Sequence, residues 1–315
     1  WQGSATASEI AAGTTTNAAF TGLSGSMVAR VGHYNNNDAT VVNFGQDSSF
    51  AGTITAGTAT PSDGAGKFKY TPPTGFLALC SANLAEPTIG PNSSQNSTDN
   101  FETILYVGNS ANDSSGTTQN ITGLDFKPDW IWVKNRDTSA DHRTVDSNRG
   151  EQKTLYISDA YIQNAGSDGT DGITAFTAAS SAGAGGFVVG QHTGFNKQND
   201  DFVAWNWKAN GGTNSTNNNG SIQSTVQVNT TAGFSIVTYT GNATAGATVG
   251  HGLGAVPQWY FVKSISLATG WVVYHKDQNA SPQNGYTLLN LPDDFFDTVV
   301  WNDTAPTSSV FSLGG

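Results

Sequence analysis

Short runs of β-branched and aromatic residues, each bounded by Gly, Asn, Ser or Pro, recur along the chain. One such run spans residues 234–240. Phe234 and Ile236 fall on one of its faces, and Val237 and Tyr239 fall on the other, which is the two-residue period of a β-strand. No stretch keeps the apolar spacing of an amphipathic helix. The pattern therefore predicts an all-β protein built from serial β-sandwich modules of jelly-roll or concanavalin-like type.

The same alternation predicts strands at 27–31, 39–44, 103–107, 130–133, 202–207, 234–240, 259–262 and 271–275. Two stretches, 85–100 and 210–219, are rich in Pro, Asn, Ser and Gly and contain almost no large apolar residue, which is typical of linkers. The domains predicted from these boundaries are 1–84, 102–209 and 233–315.

The second and third domains contain four pairs of similar segments in the same order. The pairs are TILYVGN (103–109) with SIVTYTGN (235–242), TGLDFKPDWIWVKN (122–135) with HGLGAVPQWYFVKS (251–264), KTLYISDA (153–160) with YTLLNLPDD (286–294), and GGFVVG (185–190) with SSVFSLG (308–314). Similar segments in one order indicate an internal repeat. We therefore interpret 102–209 and 233–315 as two copies of one β-sandwich module.

The second copy has no counterpart to DDFVAWNWK at 200–208, so we expect it to be incomplete at its C-terminal side. A missing strand would leave a sheet edge unpaired. Either the native chain continues and supplies this strand, which is the explanation we favour, or a neighbouring subunit supplies it.

Composition and charge exclude several classes of partner. Only 12% of the residues are charged and the formal net charge is −11, so phosphates of nucleic acid and anionic membrane surfaces would be repelled. No apolar run approaches the ~18 residues that membrane insertion needs. The single cysteine, Cys80, excludes an intrachain disulfide framework and reads as a small buried apolar side chain.

Candidate chemistry is sparse. The five histidines show no HxxxH spacing for a metal site. Asp168 and Asp171, in the Gly-rich segment 167–172, are weak candidates for calcium ligands, although ordinary Asp-Gly turns explain them equally well. We predict no cofactor, no catalytic residues and no enzymatic activity.

Tryptophan residues suggest a sugar-binding role, because an exposed aromatic face can stack on a sugar ring. The pairs Trp130/Trp132 and Trp205/Trp207 have i, i+2 spacing, so each pair shares one sheet face, and we expect these four side chains to be buried. The candidate ligand-binding residues, expected to be exposed, are Trp271, Tyr274 and His275.

Three motifs of the first domain resemble the C-terminal half of a SPRY-like domain of the type found in phage structural proteins. They are FTGLSGSMVARVGHY at 20–34, VVNFGQDSSF at 41–50 and YTPPTGFLALCSANL at 70–84. The repeated module resembles one in predicted virion proteins of marine tailed phages, through TYTGN, GLGAVPQWYFVK, WVVYHK, YTLLNL and TAPTSSVFSLG. The resemblance implies a particle-associated β-sandwich protein and no catalytic residues.

This resemblance implies a virion structural protein on the exterior of the particle, a tail fibre or appendage subunit that attaches to the host through multivalent surface binding. Its expected partners are other virion proteins, host surface glycan and further copies of itself, with a trimer as the favoured homo-oligomer. The scarcity of Lys and Arg fits sheet edges that neighbours cover. The alternatives are a capsid decoration or head-fibre protein, a carbohydrate-binding lectin-like module and, last, a polysaccharide depolymerase.

Overall fold

The computed structural model describes residues 47–49, 52, 54–61, 64–72, 77–78, 81–83, 95–113, 116–164 and 172–314. The chain forms two compact units, Trp1–Glu86 and Pro87–Gly315. In the first unit, the described residues include an isolated bridge between Ala59 and Phe68 and a short 3-10 turn at Ser81–Asn83. The predicted strands at 27–31 and 39–44, most of the SPRY-like motif residues and Cys80 lie outside the described residues.

The second unit begins with a two-sheet sandwich. Its strands are β1 Phe101–Val107, β2 Gln119–Leu124, β3 Trp130–Asn135, β4 Arg143–Asp146, β5 Leu155–Tyr156, β6 Ile173–Thr177, β7 Gly185–Val189 and β8 Asp201–Trp207. One sheet has the order β1-β8-β3-β4-β5 and the other has the order β2-β7-β6, with antiparallel pairing throughout. A single-turn helix, α1, at Thr193–Asn196, connects β7 to β8.

The core of this sandwich forms where the two sheets meet. Ile131, Val133 and Phe202 come from the five-stranded sheet and contact Phe187 and Val189 of the three-stranded sheet. The inward side chains alternate along each strand, so only every second residue of β8 is buried. Burying large apolar side chains such as these stabilises the fold by roughly 1.5–3 kcal/mol each.

The remaining strands form a second sandwich. They are β9 Ser215–Asn217, β10 Ser224–Asn229, β11 Phe234–Tyr239, β12 Thr248–Gly250, β13 Trp259–Val262, β14 Val272–His275, β15 Gly285–Leu288, β16 Phe296–Asp297 and β17 Val310–Ser312. They pair as β11-β10-β9, β12-β17 and β13-β14-β15-β16. Val249, Trp301 and Phe311 lie at the centre of its core. The predicted all-β class is confirmed.

Matched segments of the two sandwiches pair in the same way. In the first sandwich β2 pairs with β7 and the order β3-β4-β5 is sequential; in the second, β12 pairs with β17 and the order β13-β14-β15 is sequential. The alternation predicted for 234–240 is also present: Phe234 and Ile236 join one apolar cluster, while Val237 and Tyr239 join another. Three of the four pairs of matched segments therefore pair alike. The first pair does not, since β1 pairs with β8 whereas β11 pairs with β10.

An aromatic cluster joins the two sandwiches. The Trp130 ring of the first lies 6.0 Å from Phe234 and 5.7 Å from Phe261 of the second, measured between ring centroids. Polar contacts surround the cluster: the Asn148 amide donates to the carbonyl oxygens of Thr225 and Ile236, each at 3.2 Å. The buried aromatic faces explain why both sandwiches belong to one compact unit.

The stretch 210–219 differs from the linker predicted for it. Residues Ser215–Asn217 form β9 and pair with β10. The turn before them is held by Asp129, whose fully buried carboxylate accepts hydrogen bonds from the amides of Ala209, Gly211 and Gly212. The polar stretch 210–219 is therefore an ordered connection between the two sandwiches and differs from the linker that its composition predicted. Among the described residues, no helix is long and apolar enough to cross a membrane.

Candidate functional site

The outer surface of the five-stranded sheet is partly open to solvent. One end of this surface, around Trp130 and Trp207, is covered by Phe234 of the second sandwich. The other end is exposed or half-buried. We call this end the open face; it comprises Thr103, Leu105, Val107, Trp132, Lys134, Val203 and Trp205.

Strand alternation places these side chains together. Leu105 and Val107 lie two residues apart on β1, the edge strand of the sheet, and are 64% and 52% exposed. The same period puts Val203 and Trp205 side by side on β8, where Trp205 is directly opposite Trp132 of β3. Contiguous exposed apolar side chains mark interaction or ligand-binding sites, and no described residue covers this end of the sheet.

Two tryptophans form the centre of the open face. The rings of Trp132 and Trp205 meet edge to face, with centroids 5.6 Å apart and planes inclined by 65°. The Trp132 indole donates a hydrogen bond from Nε1 to Nδ1 of His142 at 2.9 Å. This bond fixes the orientation of the Trp132 ring, so a flat aromatic surface is held ready for contact.

Polar groups surround the aromatic pair. Burial, and then the positive charge of Lys134, lower the pKa of His142, so its imidazole favours the neutral form that accepts the Trp132 hydrogen bond. The Lys134 ammonium donates to the carbonyl oxygen of Thr138 at 2.8 Å. Arg136 and Asp201 lie 4.0 Å apart at the rim. The arrangement combines an aromatic platform with hydrogen-bonding groups, as sugar-binding surfaces do.

The open face was missed by the sequence interpretation, which assigned all four strand tryptophans to buried positions. Trp130 is buried, but Trp132, Trp205 and Trp207 are only half-buried. The sequence of β1 could have revealed the open face. Its apolar residues Leu105 and Val107 alternate with the inward Tyr106, so both faces of the strand are apolar.

The exposure predicted for Trp271 and Tyr274 is wrong. Each is only 4% exposed. The Trp271 ring packs against Phe261 and its Nε1 donates to the Tyr156 carbonyl oxygen, while Tyr274 stacks on Tyr260 with ring centroids 4.8 Å apart. His275 is exposed, at the end of β14. Neither buried aromatic offers a face to a ligand, because Phe261 and Tyr156 cover Trp271, and Tyr260 and Trp301 cover Tyr274.

Among the described residues, no group of three or more His, Cys, Asp or Glu side chains is placed to hold a metal ion. Asp168 and Asp171 lie outside the described residues. His251 is buried and serves a local structural role, since its Nδ1 accepts a hydrogen bond from the amide of Leu253 at 3.2 Å.

Comparison with known families gives one match. A family model described as a domain of unknown function, DUF7483, matches residues 96–315, which include both sandwiches. No curated protein and no solved structure matches the chain.

Proposed function

Because this chain belongs to the DUF7483 family, whose description states no activity, we propose a function from the residues themselves. The protein is a structural subunit on the exterior of a phage virion, a tail fibre or appendage that attaches to host surface glycan. It acts by shape and contact and catalyses no reaction. The observation that carries this proposal is the open face, with its ordered Trp132–Trp205 pair in a setting of hydrogen-bonding groups.

The chemistry of the open face fits a saccharide. The apolar face of a sugar ring stacks on an indole, and its hydroxyl groups take hydrogen bonds from groups such as Lys134 and Thr103 at the margin. A formal charge of −11 disfavours a strongly anionic polymer, so we propose a neutral or weakly charged host glycan.

Attachment by such a site depends on many copies. A shallow aromatic surface binds one sugar weakly, but linked copies raise the overall avidity by roughly 10² to 10⁴-fold. We therefore propose that the protein works as a homo-oligomer, with a trimer favoured, in contact with other virion proteins. The resemblance of the repeated module to marine phage virion proteins supports the same role.

Glycan binding tests the proposal directly. Immobilised surface polysaccharide of the host bacterium is exposed to the wild-type chain, to Trp205→Ala and to Trp259→Ala. We expect Trp205→Ala to weaken binding by about tenfold or more, equivalent to about 1.4 kcal/mol. Trp259→Ala is the matched control, because Trp259 is a 51% exposed tryptophan of the second sandwich, outside the open face. This substitution should leave glycan binding unchanged. Equal binding by all three proteins would refute the role of the open face.

Location in the particle tests the other half of the proposal. Gold-labelled antibody against the chain is applied to intact particles of the phage that encodes it. Label on tail fibres or appendages is the expected result. Label on the head would assign the protein to capsid decoration instead, and unlabelled particles would contradict a virion role.

A further inference from the structure

A serine hydroxyl of the first sandwich lies against a glutamine side chain of the second. Ser147 directly follows β4, and its Oγ is 3.0 Å from Oε1 of Gln227 on β10. The same Oγ is 2.7 Å from Oδ1 of Asp129. Gln227 and Asp129 are fully buried, and Ser147 is half-buried. The three side chains therefore meet at the junction of the two sandwiches, largely shielded from water.

The orientation of the Gln227 carboxamide follows from its neighbour Asn214. Nδ2 of Asn214 donates to the carbonyl oxygen of Asn148 at 3.1 Å, so its Oδ1 faces Gln227 and requires a donor. Nε2 of Gln227 is that donor, at a distance of 2.6 Å. Oε1 of Gln227 consequently faces the hydroxyl of Ser147.

The Ser147 hydroxyl has one hydrogen for two acceptor oxygens. The Asp129 carboxylate is charged and is the nearer acceptor, so the hydrogen points to its Oδ1. The Ser147 Oγ then faces the Gln227 carboxamide with its lone pairs alone. Two oxygens in contact without a hydrogen between them are unfavourable in a buried site. The same contact places a nucleophile between a base and an acyl group.

Asp129 is held in position for the role of a base. Its carboxylate accepts hydrogen bonds from the amides of Ala209, Gly211 and Gly212, which fix its orientation. A general base must lie within about 2.6–3.2 Å of the group whose proton it takes, and the contact between Asp129 and Ser147 meets this requirement. The junction thus contains a nucleophile, an oriented base and a carbonyl group.

We propose that Ser147 and Gln227 form an intramolecular ester cross-link that joins the two sandwiches covalently. Asp129 takes the hydroxyl proton as Oγ of Ser147 bonds to Cδ of Gln227. The bond between Cδ and Nε2 then breaks, the proton passes from Asp129 to Nε2, and ammonia leaves. Each cross-link therefore consumes one hydroxyl and one carboxamide, forms one ester and releases one ammonia.

This reaction occurs once in each chain and turns over no substrate, so a slow step is sufficient. Asn214, beside the leaving nitrogen, is exposed, which gives the ammonia a path to solvent. Ser147 and Gln227 are 80 residues apart, and closing a loop of this length restricts the unfolded chain. The cross-link keeps the two sandwiches together when the chain is pulled. It goes beyond the proposed glycan binding and does not depend on it.

Mass spectrometry of the intact, purified chain tests the cross-link. The expected mass is that of the sequence less one ammonia. A tryptic digest should contain peptide 144–149 joined to peptide 209–263, the fragments that carry Ser147 and Gln227. Mild alkali hydrolyses an ester faster than an amide and should separate the two peptides. A chain of full sequence mass would overturn the proposal. So would a loss of ammonia with the two peptides unlinked, which would assign the loss to another side chain.

Two serine variants locate the reaction. Ser147→Ala removes the nucleophile and should restore the full sequence mass, with the tryptophan emission of the wild type retained because Ser147 is only half-buried. Ser224→Ala is the matched control, since it removes a buried hydroxyl of β10 that donates to the Gly250 carbonyl oxygen. This control should still lack one ammonia. A Ser147→Ala chain that also lacks one ammonia would refute the cross-link.

Discussion

Asp129 provides a sharp test of how the two sandwiches are joined. Its fully buried carboxylate accepts hydrogen bonds from the amides of Ala209 and Gly211 at 2.7 and 2.8 Å through one oxygen. The other oxygen accepts from the Gly212 amide and from the Ser147 hydroxyl at 2.7 Å. The turn requires positive φ values of 61° and 83° at the two glycines, and the carboxylate holds the backbone in that conformation.

Asp129→Ala removes all of these acceptors. Ala209 is only 5% exposed, so its amide loses its partner without access to water, at a cost of about 1–3 kcal/mol. The two glycine amides are partly accessible, and each lost bond there costs about 0.5–1.5 kcal/mol. We expect the free energy of unfolding of the second unit to fall by about 3 kcal/mol.

Urea denaturation followed by tryptophan fluorescence measures this change, because seven of the eight tryptophans lie in the second unit and only Trp1 lies in the first. With a slope of about 2.5 kcal/mol per molar urea, the midpoint should fall by about 1.2 M. Gln258 occupies the equivalent position in the second copy and is exposed, so Gln258→Ala is the matched control. If both variants lost the same stability, Asp129 would have no special role in the connection.

Two further predictions concern burial and pH. Trp271→Ala should lower the free energy of unfolding by about 3–5 kcal/mol, whereas Trp259→Ala should cost about 1 kcal/mol or less; similar losses in urea denaturation would contradict the burial of Trp271. Burial lowers the pKa of His251 below its unfolded value of about 6.5, although the Thr307 carbonyl opposes the shift. The unfolded state therefore binds more protons as pH falls through 6.5, and stability decreases. The free energy of unfolding of the His251→Gln variant should decrease less than that of the wild type between pH 7.5 and 5. Urea midpoints that depend on pH equally in both proteins would refute this.

The local pattern predicted six strands that the structure contains, β1, β3, β8, β11, β13 and β14, because alternation is a property of neighbouring residues. The run 234–240 was assigned two apolar faces, and the structure uses both, with Ile236 at the junction between sandwiches and Val237 in the core. The same pattern could not show which apolar face stays uncovered. Trp132 and Trp271 both occur in strand-like sequence, yet Trp132 lies on the open face and Trp271 is buried.

By itself, the sequence determined the all-β class, six of the seventeen strands in the described part of the chain and the order of the repeated segments, because these follow from residue period and composition. The tertiary structure decided which side chains are covered. Trp271 is buried by contacts that include Tyr156, 115 residues away, and such contacts depend on how the sandwiches pack. The open face was decided at the same level, since exposure depends on what lies opposite each strand in space.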